Sequence, residues 1–513
     1  MDWRQVKYDA IVVGSGATGG MAAKCLADGG AKVLVLEAGP ELRSDIRGEG
    51  EKSREEFEAI KAKQPVQSRN LNYSKRNCHL FIDDLENPYT TDGATAFNWI
   101  RSRQVGGRTL LWSRFALRMS EQDLDSYKDD RGGRWPMSYG DLAPYYDKVE
   151  ALIGVSGTTE GVPSLPDGCF LPRRVPSYLR ALGQRLSSRF PNRHLIPSRE
   201  ATVDEIGRTA IAPHPSGAGS TLMPDNRKTS TVRANCIAAR IELDRPNHAK
   251  SVVFVDRETH RWSEVEGRVI VLCSSTIESV RLLLASANDD FPTGLANSSG
   301  LLGHFLMDHF GGPRVVAVGK IPDAEPYSRE RAYIPRFRDL SGQSEDFVRG
   351  YGIQADFETD AGHNIIITMG VFGEVLPYAE NRIELDESAR DLWGLAVPRI
   401  RFRYRENETR MALHARTALQ EIVDALGFRS MVTHDRLLAP GTRAHELGGA
   451  RMGSSPTDSV LNAFNQSWDV RNLFVTDGAC FPSAGYKGPT LTMMALTTRA
   501  CDKILELLRA GAV

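Results

Sequence analysis

Residues 8–20 read YDAIVVGSGATGG, and residues 33–40 read VLVLEAGP. The first stretch is a short apolar segment rich in β-branched residues, followed by a glycine turn and by apolar residues at helical spacing. The second stretch is again an apolar strand, and it ends on Glu37, about 20 residues beyond the first glycine. This order predicts a Rossmann-like unit that binds a dinucleotide, with a purely structural glycine turn as the alternative.

The residue types in this motif have physical reasons. Gly14 permits a tight turn, Gly16 lets the backbone approach a pyrophosphate, and Gly19 lets the helix lie close to the strand. The helix N-terminus offers free N–H groups to the phosphates, and Glu37 can accept hydrogen bonds from ribose hydroxyls. An acid at this position disfavours the 2′-phosphate of NADP and leaves NAD and FAD open.

Composition excludes several classes of protein. The chain has 513 residues with 64 basic and 65 acidic side chains, a balance without the basic excess that nucleic acid or an anionic membrane surface attracts. Seven scattered cysteines, with no close CxxC pair, favour a reducing compartment. No apolar run approaches the ~18 residues of a membrane span, and residues 1–7 lack the apolar core of a signal peptide. We therefore expect a cytoplasmic protein.

The rest of the chain predicts a second kind of sheet. Strand-like segments at 250–256 and 264–275, the latter containing VIVLC, return the chain to the nucleotide-binding sheet. Residues 314–404 contain strand-like stretches separated by Pro, Gly and Asp, which predict an inserted antiparallel sheet. Residues 49–63 are charged and predict an exposed helix or a mobile insertion. The expected fold class is α/β plus antiparallel β.

Several further motifs carry a resemblance. They are RQVGGRTLLW at 103–112, WPMSYGDLAPYYDKVE at 135–150, SSTIESVRLLLAS at 274–286, GLLGHFLMDHF at 300–310, HELGGARMG at 445–453 and NLFVTDGACFPSAGYKGPTLTMMAL at 472–496. With the N-terminal motif, they resemble the glucose–methanol–choline (GMC) oxidoreductases, flavoproteins that oxidise alcohols and sugars. The C-terminal block and ENPYTT at 86–91 look most like the branch of bacterial pyranose oxidases and glucoside 3-dehydrogenases.

The resemblance implies the domain organisation and the reaction. A Rossmann-like FAD-binding domain would comprise 1–50, 95–155, 205–312 and 440–513, and an inserted substrate-binding domain with insertions would comprise 51–94, 156–204 and 313–439. The implied enzyme oxidises a secondary hydroxyl of a sugar or glycoside to a ketone, for example at C3 or C2, by hydride transfer to flavin N5. Oxygen, a quinone or a cytochrome would take the electrons. A small partner subunit or a homo-oligomer is implied as well, and a signal-bearing partner would allow export.

The resemblance also assigns cofactor contacts. The ADP half would lie against the N-terminal motif, through Gly14, Gly16, Thr18, Gly19 and Glu37. The pyrophosphate and the flavin would lie along the VGG turn and the C-terminal block, through Gly106, Gly107, Ser113, Asp477, Gly478, Pro489 and Thr490, the last two at the pyrimidine edge. Val232 matches a position that touches adenine, with a core valine as the alternative.

His445 opens the HxxG motif and is the catalytic base that the resemblance implies. Imidazole suits the role because its unperturbed pKa of ~6.5 lies near neutrality, so activity is expected to rise with pH through the neutral range. His309 is interpreted as structural, holding the inserted domain against the FAD domain, and His79 and His214 have no functional support. No metal site is predicted.

Two positions depart from the family pattern. Leu111 replaces the histidine that links flavin covalently in some relatives, so noncovalent FAD is expected. Gly488 stands where a second catalytic Asn or His usually precedes Pro-Thr, and Lys487 or Tyr486 is a candidate substitute. Two alternatives to sugar oxidation stay open: a GMC enzyme acting on a non-sugar or natural-product hydroxyl, and a binding protein that retains FAD with little turnover.

Overall fold

The computed structural model describes residues 3–41, 51–93, 96–124, 133–202, 229–321, 324–339 and 347–513. The helices in these ranges are α1 (Ala17–Asp28), α2 (Arg54–Ala62), α3 (Glu121–Leu124), α4 (Tyr139–Ile153), α5 (Ser177–Arg189), α6 (Thr276–Ala285), α7 (Glu406–Ala425) and α8 (Thr490–Arg509). The strands are β1 (Tyr8–Val13), β2 (Val33–Leu36), β3 (Thr90–Thr91), β4 (Val155–Gly157), β5 (Leu171–Pro172), β6 (Ile196–Pro197), β7 (Glu200–Ala201), β8 (Ser230–Arg233), β9 (Cys236–Arg245), β10 (His248–Asp256), β11 (Trp262–Leu272), β12 (His309–Phe310), β13 (Arg314–Lys320), β14 (Arg329–Asp339), β15 (Arg349–Thr359), β16 (Asn364–Glu374), β17 (Arg382–Arg390), β18 (Ala396–Arg401), β19 (Arg429–His434) and β20 (Leu473–Val475).

The first sheet is the predicted nucleotide-binding sheet. Its strands follow the order β8-β2-β1-β11-β10-β9, and β20 also pairs with β11. β1 is parallel to both β2 and β11, and all four residues of β2 are buried, as expected of a parallel strand covered on both faces. Helices α1 and α8 cover one face, where Leu26 and Ile504 pack against Val12. The strand, glycine turn, helix and strand predicted from residues 8–40 are confirmed.

Strand β11 has three neighbours along its length. Its first half pairs antiparallel with β10, from Val255↔Trp262 to Ser251↔Glu266. Its second half runs parallel to β1 on one side and to β20 on the other. The apolar run at 269–273 therefore brings the end of the chain back beside the N-terminal motif, and with it the loop that precedes α8.

The second large sheet is antiparallel, with the order β19-β13-β16-β15-β14-β6 and β12 paired to β16. Alternate residues of β16, among them Ile367 and Met369, are fully buried in the core cluster that also includes Met411 and Ile422 of α7. Two small sheets complete the arrangement, β17-β18-β3, in which β3 pairs parallel to β18, and β5-β4-β7. The fold class is mixed α/β with antiparallel sheets, as predicted, whereas the domain boundaries remain a prediction.

Candidate active site

A cavity of about 1220 Å³ lies between the carboxyl ends of the parallel strands and one face of the antiparallel sheet. Val13, Leu36 and Cys273 line it from the parallel sheet, and Gln354 and Thr368 line it from the antiparallel sheet. Ligand pockets for drug-sized molecules span roughly 300–1,000 Å³. The cavity therefore has room for a dinucleotide together with a substrate.

Three helices begin at this cavity. The N-cap residues Gly16 of α1, Ser275 of α6 and Pro489 of α8 line it, and none of the three helices carries a side-chain cap. The first N–H groups of each helix and the positive end of its dipole are thus available to a ligand. This arrangement suits a ligand with negative charge at several points, such as a dinucleotide pyrophosphate.

The glycines of the N-terminal turn divide into two groups. Gly14 has φ +98°, and a Cβ there would lie 2.5 Å from the Cys273 carbonyl oxygen. A Cβ on Gly19 would lie 1.9 Å from the Gly14 carbonyl oxygen. Backbone packing therefore requires glycine at both Gly14 and Gly19. A Cβ on Gly16 would meet nothing within 4 Å and would project into the cavity. Gly16 is the position where a close-lying pyrophosphate explains the missing side chain.

Glu37 lines the cavity and is almost fully buried. Its Oε2 accepts hydrogen bonds from the Ser15 N–H (3.0 Å) and the Ser15 hydroxyl (2.6 Å), and its Oε1 accepts one from the Gly39 N–H (2.8 Å). Burial raises the pKa of the Glu37 carboxyl, against the lowering effect of these donors. Oε1 keeps acceptor capacity for a ribose hydroxyl.

Most of the other predicted cofactor residues reach the same cavity. Thr18, Gly107, Ser113, Asp477, Gly478, Pro489 and Thr490 all line it. Gly106 has φ +95°, and its N–H donates to the Ser15 hydroxyl (3.0 Å), which connects the VGG turn to Glu37. Burial raises the pKa of Asp477 to about 6, and the carboxylate accepts hydrogen bonds from the Ser279 hydroxyl (2.5 Å) and the Ala479 N–H (3.0 Å).

Val232 lies elsewhere. It belongs to β8, pairs with Val35, and packs against the core cluster under α1 and α8. Cys236, Ile237 and Ala238 line the cavity from the adjoining strand β9 instead. This placement agrees with the core-valine alternative and gives no support to an adenine contact for Val232.

His445 lines the cavity and contacts a second histidine. Its Nδ1 lies 2.9 Å from His309 Nδ1, and the two rings meet edge to face with centroids 5.0 Å apart. The Nε2 of His309 lies 3.0 Å from the Gly485 carbonyl oxygen. His309 thus does more than join two parts of the fold, because it contacts the predicted base directly.

These contacts determine which nitrogens carry protons. A carbonyl oxygen only accepts, so His309 Nε2 must bear the hydrogen, and in a neutral ring Nδ1 is then an acceptor. The Nδ1 of His445 must therefore be the donor between the two rings. The remaining nitrogen of His445, Nε2, has a free lone pair. This is the tautomer that a general base requires.

Burial also sets the charge of both rings. It lowers the pKa of His309 to about 4 and the pKa of His445 well below its ordinary value, and electrostatic interactions with His309, Arg108 and Arg443 disfavour a proton on His445 further. Both rings are neutral at neutral pH. The expectation that His445 titrates through the neutral range is therefore wrong.

Asp308 is a candidate functional residue that the sequence reasoning missed. It is fully buried, and its Oδ1 accepts hydrogen bonds from the backbone N–H groups of His309 (2.7 Å) and His445 (3.0 Å). Its Oδ2 has no hydrogen-bond partner among the described residues. Burial and then the charge of Glu446 raise the pKa of Asp308 to about 7. The signal in the sequence was the acid directly before the histidine of MDH.

Arg108 was also missed. It lines the cavity within the VGG turn, and its guanidinium donates to Glu446 Oε2 (2.7 Å), the Ala444 carbonyl oxygen (2.9 Å) and the Ser275 hydroxyl (2.8 Å). It thereby connects the residues on either side of His445 to the start of α6. Nothing in its sequence context distinguished it from a surface arginine.

The two suggested substitutes for the second catalytic residue do not reach the cavity. Lys487 forms a buried ion pair with Asp123, and the Tyr486 hydroxyl lies 3.4 Å from the Ser164 carbonyl oxygen. Gly488 lines the cavity, and a Cβ there would meet nothing within 4 Å. The suggestion that Lys487 or Tyr486 acts in catalysis is wrong, because both side chains are buried in the protein interior and neither lines the cavity.

The described ranges contain no cluster of His, Cys, Asp and Glu that could hold a metal ion. Within the same ranges, no helix is both long and apolar enough to cross a membrane. His79 is partly buried in a short 3₁₀ turn away from the cavity lining, and His214 lies outside the described residues.

Comparisons with known proteins identify relatives of the chain. A family model described as GMC oxidoreductase matches residues 377–497. The 2-methyl-1,2-propanediol dehydrogenase of Mycolicibacterium austroafricanum is 30% identical, over 97% of this chain and 95% of that protein. The fructose dehydrogenase large subunit of Gluconobacter japonicus is 27% identical over 98% of both. The solved structure of pyridoxine 4-oxidase from Mesorbium loti has a TM-score of 0.60 at 19% identity, covering 96% of this chain and 98% of that one, which supports the fold.

Proposed function

Because the chain belongs to the GMC oxidoreductase family, whose members act on CH–OH donors, we propose that it oxidises a secondary hydroxyl of a sugar or glycoside to a ketone. The observation that carries the proposal is the cavity-lining His445, neutral and with its Nε2 lone pair free. The fructose dehydrogenase relative, matched over almost its full length, supports a sugar. The carbon that is oxidised, for example C3 or C2, is part of the proposal.

GMC oxidoreductases are flavoproteins, and the cavity fits FAD. The ADP half would lie on the turn from Gly14 to Gly19 with Glu37 at the ribose, and the flavin would lie near the start of α8. The open space at Gly16 is the observation that supports this fit. Bound FAD supplies the hydride acceptor at N5. We propose noncovalent binding, because Leu111, which lines the cavity in place of the linking histidine, has no nucleophile.

The side chains of the protein then accept the substrate hydroxyl proton and stabilise the resulting charge. His445 Nε2 accepts the hydroxyl proton of the substrate while its Nδ1–H stays bonded to His309. The buried carboxyl of Asp308 accepts a hydrogen bond from the backbone N–H of His445, and this places it near the positive charge that develops on that residue. The space beside Gly488 is available to the substrate, because no side chain of the described residues fills it.

A second candidate function is oxidation of a non-sugar hydroxyl. The relative named 2-methyl-1,2-propanediol dehydrogenase, at 30% identity, favours it. The electron acceptor (oxygen, a quinone or a cytochrome) and a small partner subunit or a homo-oligomer remain proposals; the relative named as a large subunit supports a partner.

Anaerobic bleaching of the flavin tests the proposal. Purified protein is mixed with a panel of sugars, glycosides and simple diols, and absorbance near 450 nm is followed. Reduction by sugars or glycosides supports the proposal, and reduction by diols alone supports the second candidate. Photoreduction of the flavin without reduction by any hydroxyl compound would instead indicate a binding protein.

The role of His445 has its own test. His445→Ala should lower the rate of flavin reduction by roughly 10²–10⁴-fold, the usual contribution of a positioned base, with FAD still bound. His248→Ala is a matched control, since this histidine pairs with Asp244 on the β9–β10 ribbon. Near-normal reduction in His445→Ala would contradict the assignment.

A further inference from the structure

Three arginines line the wall of the cavity that is formed by β13 and by the segment after β19. We call this wall the substrate side, and none of its three arginines has an ion-pair partner among the described residues. Arg314, Arg436 and Arg443 all line the cavity, from the start of β13 and from the segment that follows β19. Among the described residues, none of the three guanidinium groups forms an ion pair with a carboxylate. Arg314 and Arg436 are exposed to solvent, whereas Arg443 is partly buried, so the charge of Arg443 is the least screened by water of the three.

The arginines on the nucleotide side behave differently. Arg103 pairs with Glu278 (2.8 Å), Arg108 with Glu446 (2.7 Å), and Arg101 lies 3.6 Å from Asp84. These side chains line the same cavity, yet each has a carboxylate of the protein beside it. In the described ranges, Arg314, Arg436 and Arg443 have no carboxylate within ion-pair distance, in contrast to these nucleotide-side arginines.

Arg443 has the most constrained position of the three. Its Nη2 donates to the Val371 carbonyl oxygen (2.6 Å), and its guanidinium lies 3.9 Å from the centroid of the Phe372 ring. Its Nε is buried without a hydrogen-bond partner. The other neighbour of the Phe372 ring is His445, with centroids 5.9 Å apart. Arg443 and the catalytic base therefore flank one aromatic ring.

Two carboxyl groups interact electrostatically with these arginines without forming an ion pair, Asp308 with Arg443 and Asp356 with Arg314. Arg331 is paired with Glu200, and Asp435 lies 3.5 Å from Arg416, so these two cavity residues are already compensated. Asp356 is the carboxylate on this wall without an ion pair in the described part of the chain. A partly buried guanidinium gains most from an anion that accepts two parallel hydrogen bonds.

We propose that the substrate carries an anionic group, a carboxylate or a phosphate, which binds Arg443 and Arg314 beside the hydroxyl that His445 deprotonates. The inference rests on the proposed function and names its substrate class, an acidic or phosphorylated sugar. Bound FAD would take the hydride of the carbinol C–H, the hydroxyl proton would go to His445 Nε2, and the carbinol would become a ketone. The anionic group is unchanged, and the cationic wall rejects amino sugars.

Anaerobic flavin reduction by four matched compounds tests the proposal: methyl glucoside, methyl glucuronide, glucose 6-phosphate and glucosamine. The glucuronide or the phosphate should have a kcat/KM at least about tenfold above the neutral glucoside, and glucosamine should be the poorest. Which anion is preferred distinguishes carboxylate from phosphate. Arg443→Gln and Arg314→Gln should each remove most of this advantage through KM, by roughly tenfold to hundredfold.

Arg329→Gln is the control, since this arginine lies exposed on β14 and pairs with Glu358. Equal or better reduction by the neutral glucoside would overturn the inference and leave the proposed function standing. Equal losses for neutral and anionic compounds in both arginine variants would overturn it too. If no compound bleaches the flavin, the proposed function fails, and calorimetric titration of the holoenzyme with methyl glucuronide still tests the anion site. Binding that both substitutions weaken would support the site, and no binding would refute it.

Discussion

Replacing His309 tests the origin of the basicity of His445. His309 Nδ1 is the acceptor for the His445 Nδ1–H, at 2.9 Å and in a buried position. His309→Leu removes this acceptor and leaves a buried donor unpaired, at a cost of about 1–3 kcal/mol. The ring of His445 can avoid that cost by moving its proton to Nε2, but this tautomer cannot accept the substrate proton.

The expected loss follows from these numbers. Since about 1.4 kcal/mol corresponds to a factor of ten, flavin reduction should be slower by roughly 5- to 150-fold in His309→Leu. His309→Asn provides the matched comparison, because an asparagine Oδ1 can take the place of Nδ1 as acceptor. This variant should recover most of the lost rate.

The assay is rapid anaerobic mixing with a substrate that bleaches the wild-type flavin, monitored near 450 nm. FAD content and thermal unfolding of each variant are measured in parallel, so that a folding defect is recognised. A merely structural role for His309 predicts equal losses in His309→Leu and His309→Asn, in proportion to their stability. That result, or a wild-type rate in His309→Leu, would refute the tautomer argument.

Three further predictions concern the cofactor and the pH dependence. Gly16→Ala should fold normally and bind FAD at least about tenfold more weakly, because its methyl group projects into the cavity. Gly19→Ala should instead lower the unfolding temperature, because its Cβ would lie 1.9 Å from a backbone oxygen. FAD titration and thermal unfolding of both variants check this difference. The rate of flavin reduction should rise as pH passes through about 7, because ionised Asp308 stabilises the charge that develops on His445. The inflection in the pH profile should disappear in Asp308→Asn. His445 itself contributes no inflection at this pH, because its lowered pKa leaves the ring already neutral. Acid precipitation should release the flavin into the supernatant as FAD, since Leu111 cannot form a covalent link, and flavin retained in the pellet would contradict this.

The nucleotide-binding part of the fold could be predicted because its signals are local. The turn from Gly14 to Gly19 and the acid Glu37 lie within one short segment, and the requirements for a tight turn and a close helix act between near neighbours. The second half of β11 could also be predicted from its apolar sequence, because a strand that is buried on both faces needs continuous apolar residues. The antiparallel sheet was predicted as a class, but its strand order was not.

Most of the positions that the resemblance assigned lie at the cavity, whereas the two neighbours suggested for the departing position Gly488 do not. His445 and Gly488 both line the cavity, as expected of residues at those positions of the motifs. Lys487 and Tyr486 are adjacent to Gly488 in sequence, yet both side chains point into the interior. Lys487 does so because Asp123, 364 positions earlier in the chain, offers a buried carboxylate.

The sequence by itself determined the Rossmann-like unit, the family and the histidine suited to act as base, since each depends on residue types in a fixed order. Only the tertiary structure decided the tautomer and the charge of His445. Its partner His309 lies 136 positions away, and burial among groups from distant segments lowers the pKa of both rings. Likewise, only the fold brings Arg443 and His445 to one ring of β16 and leaves the arginine without an ion pair to a carboxylate among the described residues. Desolvation and charge pairing depend on which groups are close in space, and the order of residues along the chain does not specify this.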